Sequence, residues 1–305
     1  MPPKPSINVA DGLQEPSQEH QQRAIEEDIN RYLSTGESDP FCAAWPGRDA
    51  MERMQRGCAE LRDALTQEVK RLAKGRSHRP IPAGDTIELT RRKVAPMVRG
   101  LFPRAEQETV LTVLERSVVF VTSDNIERLL QENAWSGSAW TLANLYLGSV
   151  GAKPLAGGEG MLLGSSEHMT CYVSPEYFRG NDLFADYLVH EAAHVFHNCK
   201  RRTIGLRETR KRVWLLDIDF NRRETFAYSC EFYSRILERA GSRTERLGLA
   251  DQLAARIRLS DNNADSREVA SIVKAAAAAR NGWKVILARC GPTEVKPVAL
   301  SAPAF

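Results

Sequence analysis

The sequence predicts an α+β protein that is mostly helical and contains a small mixed sheet. Apolar residues recur at steps of three and four along most of the 305 residues, which is the pattern of amphipathic helices. Only the runs 117–122 and 169–174 combine β-branched and aromatic residues as short buried strands do. A hydrophobic share of 42% and a charged share of 27% are typical of a globular protein.

The chain begins with a predicted disordered tail, residues 1–16, which holds four prolines and no apolar period. We expect an N-terminal helical region to follow, over residues 17–100. Its first helix starts near Ser17 and ends where Thr35 and Gly36 break the apolar pattern.

A longer amphipathic helix is predicted over residues 49–74. Its narrow apolar stripe is open to two interpretations. The stripe either packs against its own domain or forms a coiled-coil seam through which two copies associate. Its members are Met51, Met54, Cys58, Leu61, Leu65, Val69 and Leu72.

A second region, residues 101–285, is predicted to contain both strands and the remaining helices. A C-terminal tail is expected over residues 286–305. Beyond the strand at 117–122, helical patterns cover 124–133, 136–149, 181–199, 217–239, 244–258 and 264–280.

The overall charge and the cysteines limit the partners and the compartment. A formal net charge of +3 favours neither nucleic acid nor a membrane surface as a partner of the whole molecule. The six cysteines include no C-x-x-C pair and are expected to be reduced thiols. Because the N-terminus lacks a secretory signal and no run approaches about 18 apolar residues, we expect a cytoplasmic protein without a membrane span.

The strongest functional signal is the segment His190-Glu191-Ala192-Ala193-His194, which has the form H-E-x-x-H. Residues four apart on a helix are separated by about 6 Å along its axis and about 40° around it, so both imidazoles can reach one metal ion. Zinc lowers the pKa of a coordinated water toward about 7. Glu191 is then the expected general base that takes the proton of this water.

A catalytic zinc ion generally has three protein ligands, and the sequence offers several candidates for the third. His197 lies about 10 Å from His190 along the helix axis, which is too far for a shared metal, so we expect a supporting or structural role. Glu224 and Glu231 lie two turns apart on one face of a later helix, and both could point at the motif. Asp186 is a candidate hydrogen-bond acceptor for a ligand histidine, or a surface residue.

Together these residues resemble the gluzincin branch of the zinc metallopeptidases, in which H-E-x-x-H is followed by a second helix that carries a glutamate ligand. The segment Glu224-Thr-Phe-Ala is similar to the E-x-F-A form of that helix. The resemblance implies a zincin-like catalytic domain with His190, His194 and Glu224 as zinc ligands. It extends over about 60 residues. The chain departs from a common family pattern at Tyr228, where an acidic residue would stand, so Tyr228 is either an oxyanion donor or a core residue.

The resemblance implies a zinc-dependent endopeptidase that acts on a protein or peptide. Zincins commonly pair substrate with an edge strand, and Met169–Ser174 is the expected strand here. The basic stretch 200–223 either attracts an acidic partner or is a solvated surface. Two alternatives stay open: a zinc-stabilised binding or regulatory protein with a closed metal site, and a toxin-like protease that cleaves one cytosolic target.

Overall fold

The computed structural model describes residues 17–78, 80–81, 85–133, 135–155, 164–167, 169–180, 182–210, 212–259 and 263–292. The predicted tail 1–16 therefore lies outside the described residues. Most of the described chain is helical, as predicted. The α-helices are α1 (Gln18–Thr35), α2 (Ala50–Ala73), α3 (Thr86–Leu101), α4 (Arg104–Ser117), α5 (Ile126–Glu132), α6 (Ser136–Ser149), α7 (Tyr187–Asn198), α8 (Arg223–Arg239), α9 (Arg243–Arg256), α10 (Ser266–Ala278) and α11 (Gly282–Cys290).

The first two helices begin and end as their sequences predict. The Asp49 side chain accepts a hydrogen bond from the Glu52 amide at the start of α2. Gly36 ends α1 in the left-handed conformation, with φ of 79°, which glycine adopts readily. Within the stripe of α2, Leu61, Leu65 and Val69 are buried in this chain's own core, whereas Met51 is 63% exposed. Most of the stripe is therefore used within the chain.

A small mixed sheet, as predicted, consists of three strands among the described residues: β1 (Val118–Phe120), β2 (Gly164–Glu167) and β3 (Thr170–Val173). Strand β3 lies in the centre, parallel to β1 and antiparallel to β2. The prediction that 169–174 is the free edge strand is therefore wrong, because both of its edges are paired. The sequence Gly-Ser-Ser-Glu of β2 gave no strand signal, since it lacks β-branched and aromatic residues.

The sheet separates two hydrophobic cores. Alternate residues of a strand point to opposite faces, and here Phe120 and Val173 belong to a central core whereas Val119 and Tyr172 pack against an N-terminal core. The N-terminal core is built mainly from α1, α2, α5 and α6. The central core contains residues of α3, α4, α7, α8 and α11. Helix α3, which the sequence places in the N-terminal region, thus packs with α7.

The C-terminal helices complete the packing around α8. A third cluster joins Phe232 and Ile236 of α8 to residues of α9 and α10. Helix α11 was not predicted: the expected tail 286–305 begins inside it, and Ile286 and Cys290 are fully buried. The rest of that tail, from residue 293, lies outside the described residues.

The chain between α7 and α8 folds back onto α7. Leu216 donates a backbone hydrogen bond to the carbonyl of Phe196, and Leu215 donates one to Cys199. Arg201, from the basic stretch, is buried and pairs with Glu106 of α4 at 2.5 Å. Arg222, in the same stretch, pairs with Glu268 at 2.9 Å. Part of the basic stretch is thus neutralised within the chain.

Arg201→Met is expected to lower the free energy of unfolding by about 3 kcal/mol, because it leaves the Glu106 carboxylate without its buried partner. The matched control is Arg202→Met, whose side chain is 69% exposed and lies 3.8 Å from Glu208. We expect a change below about 0.5 kcal/mol for that variant. Urea denaturation of both variants measures the difference, and equal losses would contradict a role specific to Arg201.

None of the helices in the described part of the chain combines the length and the apolarity needed to cross a bilayer. All six cysteines are described, and each is a free thiol, as expected.

Candidate metal centre

Helix α7 positions the two histidines of the motif. Asp186 caps its N-terminus by accepting a hydrogen bond from the Val189 amide. This cap begins the helix at Tyr187, later than the predicted 181. Ten consecutive residues of α7, 188–197, are buried. The helix is therefore held rigidly by its packing, and its histidines have little freedom to move.

Helix α8 packs on α7 and brings Glu224 to the same point. The Nε2 atoms of His190 and His194 lie 3.3 Å apart. Glu224 Oε2 lies 3.6 Å from His190 Nε2, and Glu224 Oε1 lies 3.6 Å from His194 Nε2. His190, His194 and Glu224 thus form a group that could hold a metal ion.

The dimensions of this group suit zinc. Zinc–nitrogen bonds are about 2.0–2.1 Å long, and a tetrahedral arrangement then separates neighbouring ligand atoms by about 3.3 Å. The three observed separations, 3.3, 3.6 and 3.6 Å, are close to this value. Two imidazoles and one carboxylate are also an established donor set for catalytic zinc.

Glu231 is placed behind His190 and outside the three-ligand group. Its Oε2 atom lies 3.0 Å from His190 Nδ1, and its Oε1 atom accepts a hydrogen bond from the Asp186 amide. A proton on Nδ1 leaves the Nε2 lone pair free for a metal. The geometry therefore makes Glu231 a hydrogen-bond partner of His190 and not the third member of the group.

His197 supports His194 in the same way. Its Nε2 atom lies 3.0 Å from His194 Nδ1, and its own Nδ1 lies 3.1 Å from Asn198 Oδ1. Burial and the nearby His194 and Arg223 lower the pKa of His197 to about 3, so the ring is neutral. A neutral ring that donates from Nδ1 to Asn198 must accept at Nε2. His194 therefore donates from Nδ1 and directs its Nε2 lone pair at the metal position.

Asp186 connects the centre to α3. Its carboxylate accepts hydrogen bonds from Tyr177 at 3.2 Å and from Lys93 at 2.8 Å. Lys93 also pairs with Glu238 of α8 at 2.7 Å. Asp186 therefore acts through the helix cap and through Glu231, whose Oε1 atom accepts a hydrogen bond from the Asp186 amide. Lys93 was not identified from the sequence, because nothing local marks a lysine 93 residues away from its partner.

The Glu191 carboxyl is buried, and burial raises its pKa above the ordinary value. The attraction of His190 and His194 opposes this rise, whereas Glu224 and Glu231 add to it. A raised pKa brings a carboxylate closer to the value that suits a general base near neutral pH.

The carboxylates of Glu224 and Glu231 also shift the pKa of His190. Burial alone would lower the pKa of His190, but its interactions with Glu224 and Glu231 raise it to about 10. His190 and His194 hold the pKa of Glu224 far below its ordinary value, against the effect of burial. The raised pKa of His190 favours a protonated imidazole at neutral pH. A metal ion that binds there must displace a proton.

Tyr228 packs its ring against His190, with ring centroids 4.5 Å apart and an angle of 68° between the planes. It also stacks on Phe232 at 5.9 Å. Tyr228 is partly buried against the cluster of α8, α9 and α10, and these contacts fit the core role that the sequence left open for it.

Glu231→Ala is expected to weaken zinc binding roughly 10- to 100-fold, because His190 loses the acceptor that orients its ring. Isothermal titration with zinc measures the change. Glu132→Ala, at a side chain that is 61% exposed on α5, is the control and should bind zinc as the wild type does. Unchanged affinity in Glu231→Ala would contradict the orienting role.

Comparisons with models of protein families, with curated proteins and with solved structures found no match for this chain.

Proposed function

We propose that this protein is a zinc-dependent peptidase of the gluzincin type, with a zincin-like catalytic domain, His190, His194 and Glu224 as ligands and Glu191 as general base. The observation that supports it best is the convergence of the three ligand atoms within 4.8 Å of one another beside a buried carboxyl group.

The number of ligands favours catalysis over a purely structural zinc. A structural site is closed by four protein ligands, whereas a catalytic site keeps one position open. Among the described residues, the group that could hold a metal has three members. His197 is excluded as a fourth, since its Nε2 atom is engaged with His194. A three-membered group therefore favours the enzyme over the zinc-stabilised binding protein.

Each residue has a defined task in the proposed reaction. When bound, zinc would lower the pKa of a water molecule and polarise the carbonyl of the scissile bond. Glu191 accepts the proton of that water and then delivers it to the departing amine. Glu231 and His197 keep the two imidazoles in the tautomers that present Nε2.

An extended peptide fits the sheet as a substrate. Strand β2 pairs with β3 on one side, and no other described strand pairs with its second side. Exposed strand edges bind extended peptides through main-chain hydrogen bonds. The substrate strand that the sequence placed at 169–174 is therefore reassigned to 164–167.

The test uses the full chain loaded with zinc and a mixture of unstructured peptides, with mass spectrometry as the readout. We expect one zinc per chain and cleavage that a chelator abolishes and added zinc restores. A chain that binds no zinc would overturn the metal assignment. A zinc-loaded chain that cleaves neither the peptides nor any protein of a whole-cell extract would favour the non-catalytic alternative, whereas cleavage of a single extract protein would identify a protease with one target.

A further inference from the structure

Glycine 164, the first residue of β2, lies directly against the Glu191 side chain. A Cβ atom added at this position would lie 2.5 Å from Glu191 Oε1, 2.6 Å from Cγ and 2.9 Å from Cδ. Favourable contacts between carbon atoms begin near 3.5 Å. The strand passes this close to the carboxylate only because residue 164 has no side chain.

The backbone on each side of this contact is held by its packing. Gly164 is paired with Val173 of β3, and Val173 in turn is paired with Phe120 of β1. Glu191 is held by α7, where its neighbours Ala192 and Ala193 are completely buried. A side chain at residue 164 would therefore be accommodated by turning the Glu191 side chain out of its position.

Other glycines make close contacts of a different kind. A Cβ atom at Gly100 would meet the Trp283 ring, and one at Gly282 would meet Tyr233. Those contacts involve aromatic side chains of the core. Among the described glycines, Gly164 is the one whose added Cβ would meet a carboxylate of the candidate centre.

We infer that Gly164 is a positioning residue, which fixes the Glu191 carboxylate between α7 and the edge strand β2. This inference rests on the proposed function for its catalytic meaning, but the steric relation between the two residues does not. Because β2 touches Glu191 at Gly164, the strand that would bind a peptide also sets the direction in which the general base points.

The first test is a double-mutant cycle on the zinc-loaded full chain. Gly164→Ala is expected to lower the melting temperature by at least about 3 °C. In the background of Glu191→Ala the same change should cost little, because the atoms that the new methyl group meets are gone. Equal losses in both backgrounds, or failure to fold in both, would overturn the inference; failure to fold only in the presence of Glu191 would support it.

The second test separates positioning from stability. Loaded with cobalt, Gly164→Ala should bind one ion per chain as the wild type does, and the pH midpoint of its visible spectrum should shift toward that of Glu191→Gln. Peptide turnover should fall about 100-fold. The control is Gly248→Ala, where an added Cβ has no neighbour within 4 Å, and it should match the wild type in all three measurements.

A cobalt spectrum of Gly164→Ala that equals the wild-type spectrum at every pH would overturn the positioning role. The proposed function and the positioning role of Gly164 can be rejected independently of each other. If the wild-type chain cleaves no peptide, the proposed function fails, while the melting-temperature cycle and the cobalt spectrum still decide the role of Gly164.

Discussion

Glu191→Gln is expected to reduce peptide hydrolysis by roughly 10²- to 10⁴-fold while the protein retains one zinc per chain. The amide has nearly the shape of the carboxylate but cannot accept a proton at neutral pH. Because Glu191 is not among the three converging ligands, its replacement should leave zinc binding intact. Turnover of a cleaved peptide and metal analysis of the same preparation measure both effects.

The control for this prediction is Glu176→Gln, a partly buried residue of the turn after β3 that pairs with Arg179 and is 13% exposed. It should hydrolyse peptide at the wild-type rate. If Glu191→Gln also retained full turnover, Glu191 would be removed from the mechanism. If it lost its zinc, the carboxylate would be needed for the metal and not for the proton transfer.

Glu224→Ala should have the second large effect, the loss of tight zinc binding. Removing a ligand is expected to weaken binding by more than the roughly 10- to 100-fold typical of an outer hydrogen-bond partner. The side chain of Glu224 is 28% exposed, so the variant should still fold. Free zinc at a concentration 100 times the dissociation constant of the wild type should raise the free energy of unfolding of the wild type by about 2.7 kcal/mol. The same zinc concentration should stabilise the variant far less.

Thermal unfolding with and without zinc measures this stabilisation. Glu224→Asp is the informative companion, because it keeps the carboxylate but shortens its reach. Intermediate affinity in that variant would support direct coordination. If Glu224→Ala bound zinc as tightly as the wild type, Glu231 would have to be reconsidered as the third ligand.

Local periodicity predicted much of the fold. Helices α1 and α2 were placed within a residue or two because their apolar spacing and their end signals agree. Strand β2 was missed since its four residues carry no strand preference, and its pairing with β3 is what forms it. Helix α11 was partly taken for a tail, although the buried Trp283 and Ile286 show that tertiary packing holds it.

The candidate centre was likewise predicted only in part from the sequence. The i, i+4 spacing was enough to bring His190 and His194 together, because helix geometry fixes it. Spacing could not choose between Glu224 and Glu231, since both lie on one face of α8, and the E-x-F-A resemblance favoured Glu224. In the structure, Glu224 lies beside the Nε2 atoms of both histidines, and Glu231 lies beside Nδ1 of His190. Lys93 and Gly164 contact Asp186 and Glu191, which lie far away in the sequence, and no local pattern predicts such contacts.

The sheet between the two cores has a consequence for shortened forms of the chain. Val119 and Tyr172 contribute to the N-terminal core, and their strand neighbours Phe120 and Val173 contribute to the central core. A fragment that begins after α2 would remove Leu61, Leu65 and Val69 from the N-terminal core and expose the apolar faces of α5 and α6 that α2 covers. Such a fragment should aggregate or unfold even though it keeps the motif and both glutamates, so we expect that the candidate metal centre cannot be isolated on a region that begins near residue 100.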